Sequence, residues 1–166
     1  MALPFFYAGD CDPSSSRVIL DEETSRHIVQ VLRMKKGENL NLTDGKGTLL
    51  TCVIIEEHKK HCTVSVESKL KNPKSKINIV IGISLLKNPN RFEWFLEKAA
   101  EIGVDEIIPL ICERTEKEKF RHDRLHTILV SAMVQSQQCW LPVLHEPISY
   151  ELLFRQEEVA NISERY

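Results

Sequence analysis

The sequence predicts an α/β protein with a small β-barrel at its N-terminal end. Two observations carry that prediction. Residues 77–112 read as strand, helix and strand: an apolar run Ile77–Ser84, an amphipathic helix opening at Asn88, and a second apolar run Glu106–Cys112, which together make a βαβ unit. The first seventy residues instead hold short alternating segments separated by turns, the pattern of a small barrel.

Taken in order, Phe5-Phe6-Tyr7 is a short opening strand, followed by a loop rich in Pro, Ser and Asp from Asp10 to Ser16. Thr24 reads as the N-cap of a helix Ser25–Met34 that Gly37 ends. Ile28, Val31 and Leu32 form its apolar face, with Arg26, His27 and Arg33 around it. Asn39–Thr43 and Thr48–Glu56 flank the turn Asp44-Gly45-Lys46-Gly47 and form a hairpin. His61–Lys69 alternates Cys62, Val64 and Val66 with polar residues, as a half-buried strand does. The segment His58–Lys76 sets six lysines against the single acid Glu67. Such a run suits a phosphate backbone, but a solvated linker is the stronger reading. Asn72-Pro73-Lys74-Ser75 is the expected boundary between a domain at 1–72 and another at 73–166.

In the central unit, Asn88 is a good N-cap, Pro89 fits the first helical position, and Gly103 is placed to end the helix. Phe92, Phe95, Leu96, Ala99 and Ile102 make the apolar stripe. The other face carries Glu93, Glu97, Lys98 and Glu101, with Trp94 among them. An aromatic there is either a surface for a partner or simply half-exposed. Arg114–Arg124 holds five Lys or Arg against three acids, an RNA-facing loop or an ordinary charged surface. Arg121–Cys139 is helical again, with Leu125, Ile128, Leu129 and Ala132 on one face and Gln135 and Ser136 on the same stripe. A glutamine buried there without a partner costs about 1–3 kcal/mol, which makes Gln135 a functional candidate. The alternative is that Gln135 and Ser136 bond nearby carbonyls where the helix ends. Pro142–His145 is a short strand, and Ser149 caps a helix running through Leu152, Leu153 and Phe154.

Composition narrows the class. With 42% hydrophobic and 28% charged residues, neither disorder nor a membrane protein is indicated. The five cysteines form no C-x-x-C pair, so reduced thiols in a cytoplasmic protein are expected, and no metal site. A formal charge of −2 weighs against indiscriminate nucleic-acid binding. Walker, G-x-G-x-x-G, G-x-S-x-G and H-E-x-x-H motifs are absent. Spacing alone therefore yields a two-domain protein and no catalytic chemistry.

Three stretches together resemble a known family. His27-Ile-Val-Gln-Val-Leu-Arg-Met34, followed by Gly37 and Asp44-Gly45-Lys-Gly47, is similar to the first motif of RsmE-type rRNA methyltransferases. Lys87 through Arg91-Phe-Glu-Trp94 and Lys98 to Gly103, running on to Pro109 and Cys112-Glu-Arg114, resembles their signature helix and following strand. Ser131-Ala-Met-Val-Gln135-Ser136 with Pro142 resembles the third motif, although Gln138 stands where the family usually has Lys or Arg. The resemblance covers residues 20–145. It implies a PUA-like barrel that grips RNA, then a SPOUT domain, an α/β sheet closed by a trefoil knot. It further implies methyl transfer from S-adenosylmethionine to N3 of a uridine in small-subunit ribosomal RNA, by a homodimer in which Trp94 would face the second subunit or the bound RNA.

The substrate-side residues it points to are Arg26, Arg33, Lys87, Arg91, Arg114, Arg124 and Gln135. The family's methyl-donor loops, G-P-E-G-G-like and L-G-x-x-I-L-R-x-E-T-A-like, do not occur here. The chain is therefore expected to be a fragment with an incomplete SPOUT domain, no cofactor pocket and no activity alone. A non-catalytic RNA-binding module is the alternative, and a dimerisation piece a third.

Overall fold

The computed structural model describes residues 3–12, 14–115 and 120–153. The chain divides into two compact units, Met1–Ser75 with Met133–Trp140, and Lys76–Ala132 with Leu141–Tyr166.

The first unit is built on a curled five-stranded sheet. Its strands are β1 (Phe5–Tyr7), β2 (Arg17–Ile19), β3 (Asn39–Thr43), β4 (Thr48–Glu56) and β5 (Thr63–Lys71), in the order β1-β3-β4-β5-β2. β1 runs parallel to β3, and the other pairs are antiparallel. Period-two alternation sends Thr48, Leu50, Cys52 and Ile54 of β4 inward. Leu50, Cys52 and Ile54 meet Leu40 and Leu42 of β3 and Val64 of β5 in a core that also takes Phe6, Val18 and Ile28. Each large aliphatic chain buried this way contributes about 1.5–3 kcal/mol. Register shifts at Thr51/Cys52 and Ile54/Glu56 bend the long β4–β5 ribbon.

The expected helix Ser25–Met34 is a different object. Asp21, not Thr24, caps it, accepting the Thr24 N–H at 2.7 Å, and α1 runs only Glu22–Arg26. The chain then widens into a π turn over His27–Val31, with Leu32 N bonded to His27 O at 2.9 Å and Met34 N to Ile28 O at 3.0 Å. Wider turns break the α-helical spacing. Ile28 stays buried, Met34 takes the next inward place, and Val31 and Leu32 are exposed. Ser25 is fully buried and satisfied, its hydroxyl donating to Leu20 O and accepting from Cys62 N.

The second unit is a parallel sheet with helices. β6 (Val80–Ser84) pairs with β7 (Glu106–Ile111), and β7 pairs in turn with β8 (Val143–Leu144) and β9 (Ile148–Ser149). Between Leu144 and Ile148 the chain advances four residues while its partner advances three, from Ile107 to Leu110. β8 and β9 are thus one strand interrupted by a bulge. α2 (Pro89–Ile102) starts at Asn88, whose side chain accepts the Asn90 N–H, and stops at Gly103 with φ 82°. Phe92, Leu96, Ala99 and Ala100 are its buried face. Ile102, expected inside, is 73% exposed. α3 (His122–Gln135) packs Leu125, Leu129 and Ala132 against the same core. Ser149 caps α4 (Tyr150–Leu153) by accepting the Leu152 N–H; Phe154 lies outside the described residues.

Candidate nucleic-acid interface

In the second unit, a cleft of about 420 Å³ opens beside the C-terminal end of β6. Crevices at the carboxyl ends of parallel strands are where open α/β sheets bind ligands. Leu85 and Leu86 follow β6, Pro89 and Phe92 come from α2, Phe120 precedes α3 and Leu125 lies near its start. Its polar groups are Asn90, Glu93, Arg121 and Arg124. Arg124 donates from Nε to Glu93 Oε1 at 2.7 Å and from Nη2 to Oε2 at 3.0 Å, a two-pronged bond joining α2 to α3. Those bonds raise the guanidinium's pKa further above its ordinary value. Arg124, a candidate RNA contact from the sequence, is thus paired with Glu93 in the structure.

Lys87 and Arg91 are exposed at the N-terminal end of α2, where they flank the cleft without lining it. Arg114 is exposed on the turn after β7, a turn that Thr115 fastens by accepting the Cys112 N–H at 2.8 Å and meeting Ser84 Oγ at 3.3 Å. Trp94 is 63% exposed on the outward face of α2. Beside it Lys98 is held between Glu97 and Glu101, each at 2.9 Å. Sequence reasoning did not single out Phe120 and Arg121. Their one signal was the mixed basic and aromatic run that leads into α3.

Gln135 does not lie on the buried stripe where its spacing places it. It is exposed at the end of α3, because the buried stripe turns through Met133 and leaves Gln135 at its margin. Ser136 Oγ donates to Met133 O at 3.3 Å, the local carbonyl bond of a helix end.

In the first unit, Arg26 ends α1 and is exposed, and Arg33 is exposed with φ 56°, an uncommon left-handed backbone for a side-chain-bearing residue. The Asp44–Gly47 turn is a structural device. Asp44 Oδ1 accepts the N–H groups of Lys46 and Thr48 at 2.7 and 2.9 Å. Burial pushes its carboxyl pKa up, but the Thr48 and Lys46 bonds and the Lys71 charge outweigh burial and leave it below the usual range. Lys71 Nζ donates to Lys46 O at 2.6 Å and lies 5.4 Å from the Trp140 ring centroid. β5 thus runs two residues past the expected strand end at Lys69 and takes in Lys71. All five cysteines are free, and burial raises the Cys52 thiol to about 11. Among the described residues no cluster of three metal-binding side chains occurs, and no helix is long and apolar enough to cross a membrane.

The family model of the RNA methyltransferase domain matches residues 73–163, and that of the RNA methyltransferase PUA domain matches residues 20–67. The chain belongs to the RNA methyltransferase family, with a PUA domain preceding the methyltransferase domain. Within it, the chain is similar to ribosomal RNA small subunit methyltransferase E of Rickettsia conorii, 24% identical over 82% of this chain and 56% of that protein. The crystal structure of a probable rRNA methyltransferase from Porphyromonas gingivalis superposes with a TM-score of 0.83 at 39% identity, covering 91% of this chain and 63% of that one. The Neisseria gonorrhoeae ribosomal RNA small subunit methyltransferase E, solved bound to S-adenosylmethionine, gives 0.81 at 28% identity over 93% and 66%. This chain thus spans a little over half to two thirds of the length of these relatives. The RsmE-type resemblance of its three motifs is a family relationship.

Proposed function

We propose that this chain provides the RNA-holding part of a cytoplasmic, homodimeric SPOUT methyltransferase that modifies N3 of a uridine in small-subunit ribosomal RNA. The observation that carries the reading is the joint match of both domain families over one chain, with the three RsmE-type motifs in order. Exposed Arg26 and Arg33 on the first unit, and Lys87, Arg91 and Arg114 on the second, are the proposed phosphate contacts. Such contacts position RNA without specifying its sequence. Exposed Gln135 remains a proposed polar contact, and Trp94 the proposed surface for a second copy.

S-adenosylmethionine, the proposed donor, would supply a methyl group on a sulfonium. The cleft beside β6 does not fit it. Two guanidiniums and a carboxylate already bound by Arg124 disfavour a cationic sulfur. In this proposal the chain's part is orientation of the uridine, and orientation supplies much of the rate in such transfers.

The test combines two measurements on the pure 166-residue protein. Binding to small-subunit rRNA should weaken steeply with salt, and radiolabelled methyl transfer from S-adenosylmethionine should be absent. Turnover would refute the division of labour, and failure to bind rRNA at low salt would refute the reading itself.

A further inference from the structure

We propose that the cleft between α2 and α3 is a subsite for one unstacked RNA nucleotide other than the methylated uridine, and that the base it reads is guanine. The proposal rests on the rRNA reading above and adds to it a place and a base. At about 420 Å³, the cleft sits near the lower end of the roughly 300–1,000 Å³ common for small-ligand pockets. That suits one nucleotide and not a stacked run. Its walls are apolar and include the half-buried Phe120, the kind of aromatic surface on which unstacked bases are held. Arg121 and Arg124 bring positive charge to one side. Two fourteen-residue helices also begin at the cleft, with their positive ends toward it. An anionic ligand with a flat apolar body fits all of these features.

Glu93 selects the base. Among the described residues it is the only acid lining the cleft, and its side chain is 19% exposed while that of Arg124 is 56% exposed. Glu93 is therefore the fixed partner and Arg124 the movable one. Arg124 offers the carboxylate two parallel N–H donors from one planar group. The Watson–Crick edge of guanine offers the same pair, N1–H and N2–H, so the guanidinium occupies the place of a guanine edge. Uracil presents a carbonyl on each side of its single N3–H, and those oxygens would face the carboxylate oxygens. When guanine enters, Arg124 exchanges Glu93 for the nucleotide's phosphate, and every charge keeps a partner.

The test measures fluorescence anisotropy of the full chain with short labelled single-stranded RNAs that differ only at one central position. That position is guanine, uracil or abasic, and free GMP is a fourth ligand. Guanine should bind about five- to a hundredfold tighter than uracil or the abasic site, the discrimination expected of a two-pronged base contact. Glu93→Gln should bring guanine down to the uracil level. In the unmutated protein, the Arg124 Nε–H NMR signal should shift on adding the guanine RNA and not the uracil RNA. Equal affinities, or an Arg124 signal that ignores guanine, would overturn the subsite while leaving the rRNA reading standing. GMP binding as tightly as the RNA would overturn its assignment to an RNA nucleotide, and no RNA binding at all would overturn both readings.

Discussion

Gly47→Ala is the most severe small change the first unit offers. Gly47 has φ +88°, and a β-carbon there would lie 2.5 Å from Trp140 Cε2 and 3.0 Å from the Asn72 carbonyl oxygen, with Trp140 Cζ2 closer still. The same residue donates its N–H to Cys139 O and accepts the Asn72 N–H, both at 2.8 Å, so the backbone cannot retreat without losing those bonds. The left-handed backbone alone costs an L-residue about 1–2 kcal/mol, and overpacking adds about 1–3 kcal/mol. Gly37→Ala separates the two. Gly37 has φ +92°, but a β-carbon there would meet nothing within 4 Å, so it should lose only the backbone part. Urea unfolding followed by fluorescence reads both variants. Trp94 and Trp140 are the only tryptophans, and a Trp94→Phe background leaves Trp140 to report on the first unit. Gly47→Ala should be less stable than Gly37→Ala by about 1–3 kcal/mol, or about 2–4 °C in Tm for each kcal/mol. Equal losses would refute the close packing of this turn on Trp140.

Asp44 gives a pH dependence of definite sign. Its carboxyl pKa is lower folded than unfolded, so its contribution is complete above its unfolded value of about 3.9 and is lost as pH falls through the folded value. Urea midpoints of Asp44→Asn should therefore be lower at neutral pH and flatter toward acid than those of the unmutated protein. Arg91→Ala should weaken binding to all single-stranded RNAs alike and reduce the salt slope by about 0.7; an unchanged slope would remove Arg91 from the phosphate contacts. Trp94→Ala should change stability by no more than about 0.5 kcal/mol, because the ring is largely exposed. Sedimentation equilibrium of the same variant should show weaker self-association, and unchanged association would take Trp94 out of the proposed dimer surface.

What could be read from the sequence depended on whether a rule acted locally. α2 was legible at both ends because Asn88, Pro89 and Gly103 each specify a terminus through their own backbone chemistry. The β3–β4 hairpin was legible because its turn and its alternation agree. The π turn was not. Assuming a uniform helix put Val31 and Leu32 inside, whereas one widened turn gave Met34 the inward place. The same assumption misplaced Ile102 and Gln135, which lie at the edges of their stripes, where packing and not spacing decides burial. In the candidate interface, the cations were legible as residue types, but the pairing of Arg124 with Glu93 was not. It joins side chains thirty-one residues apart and exists only once two helices have been set side by side.

Residues 133–140 belong to the first compact unit, although sequence on both sides of them belongs to the second. The polypeptide accordingly leaves the first unit after Ser75, returns at Met133 and departs again after Trp140. A protease nick at the Ser75–Lys76 bond would not liberate a finished N-terminal module. The peptide so released would lack the Trp140 strand bridge to Lys46 and the Cys139 carbonyl that Gly47 bonds. Dissecting this protein therefore means keeping the returning octapeptide with the sheet it completes, either by tethering or by adding it in trans.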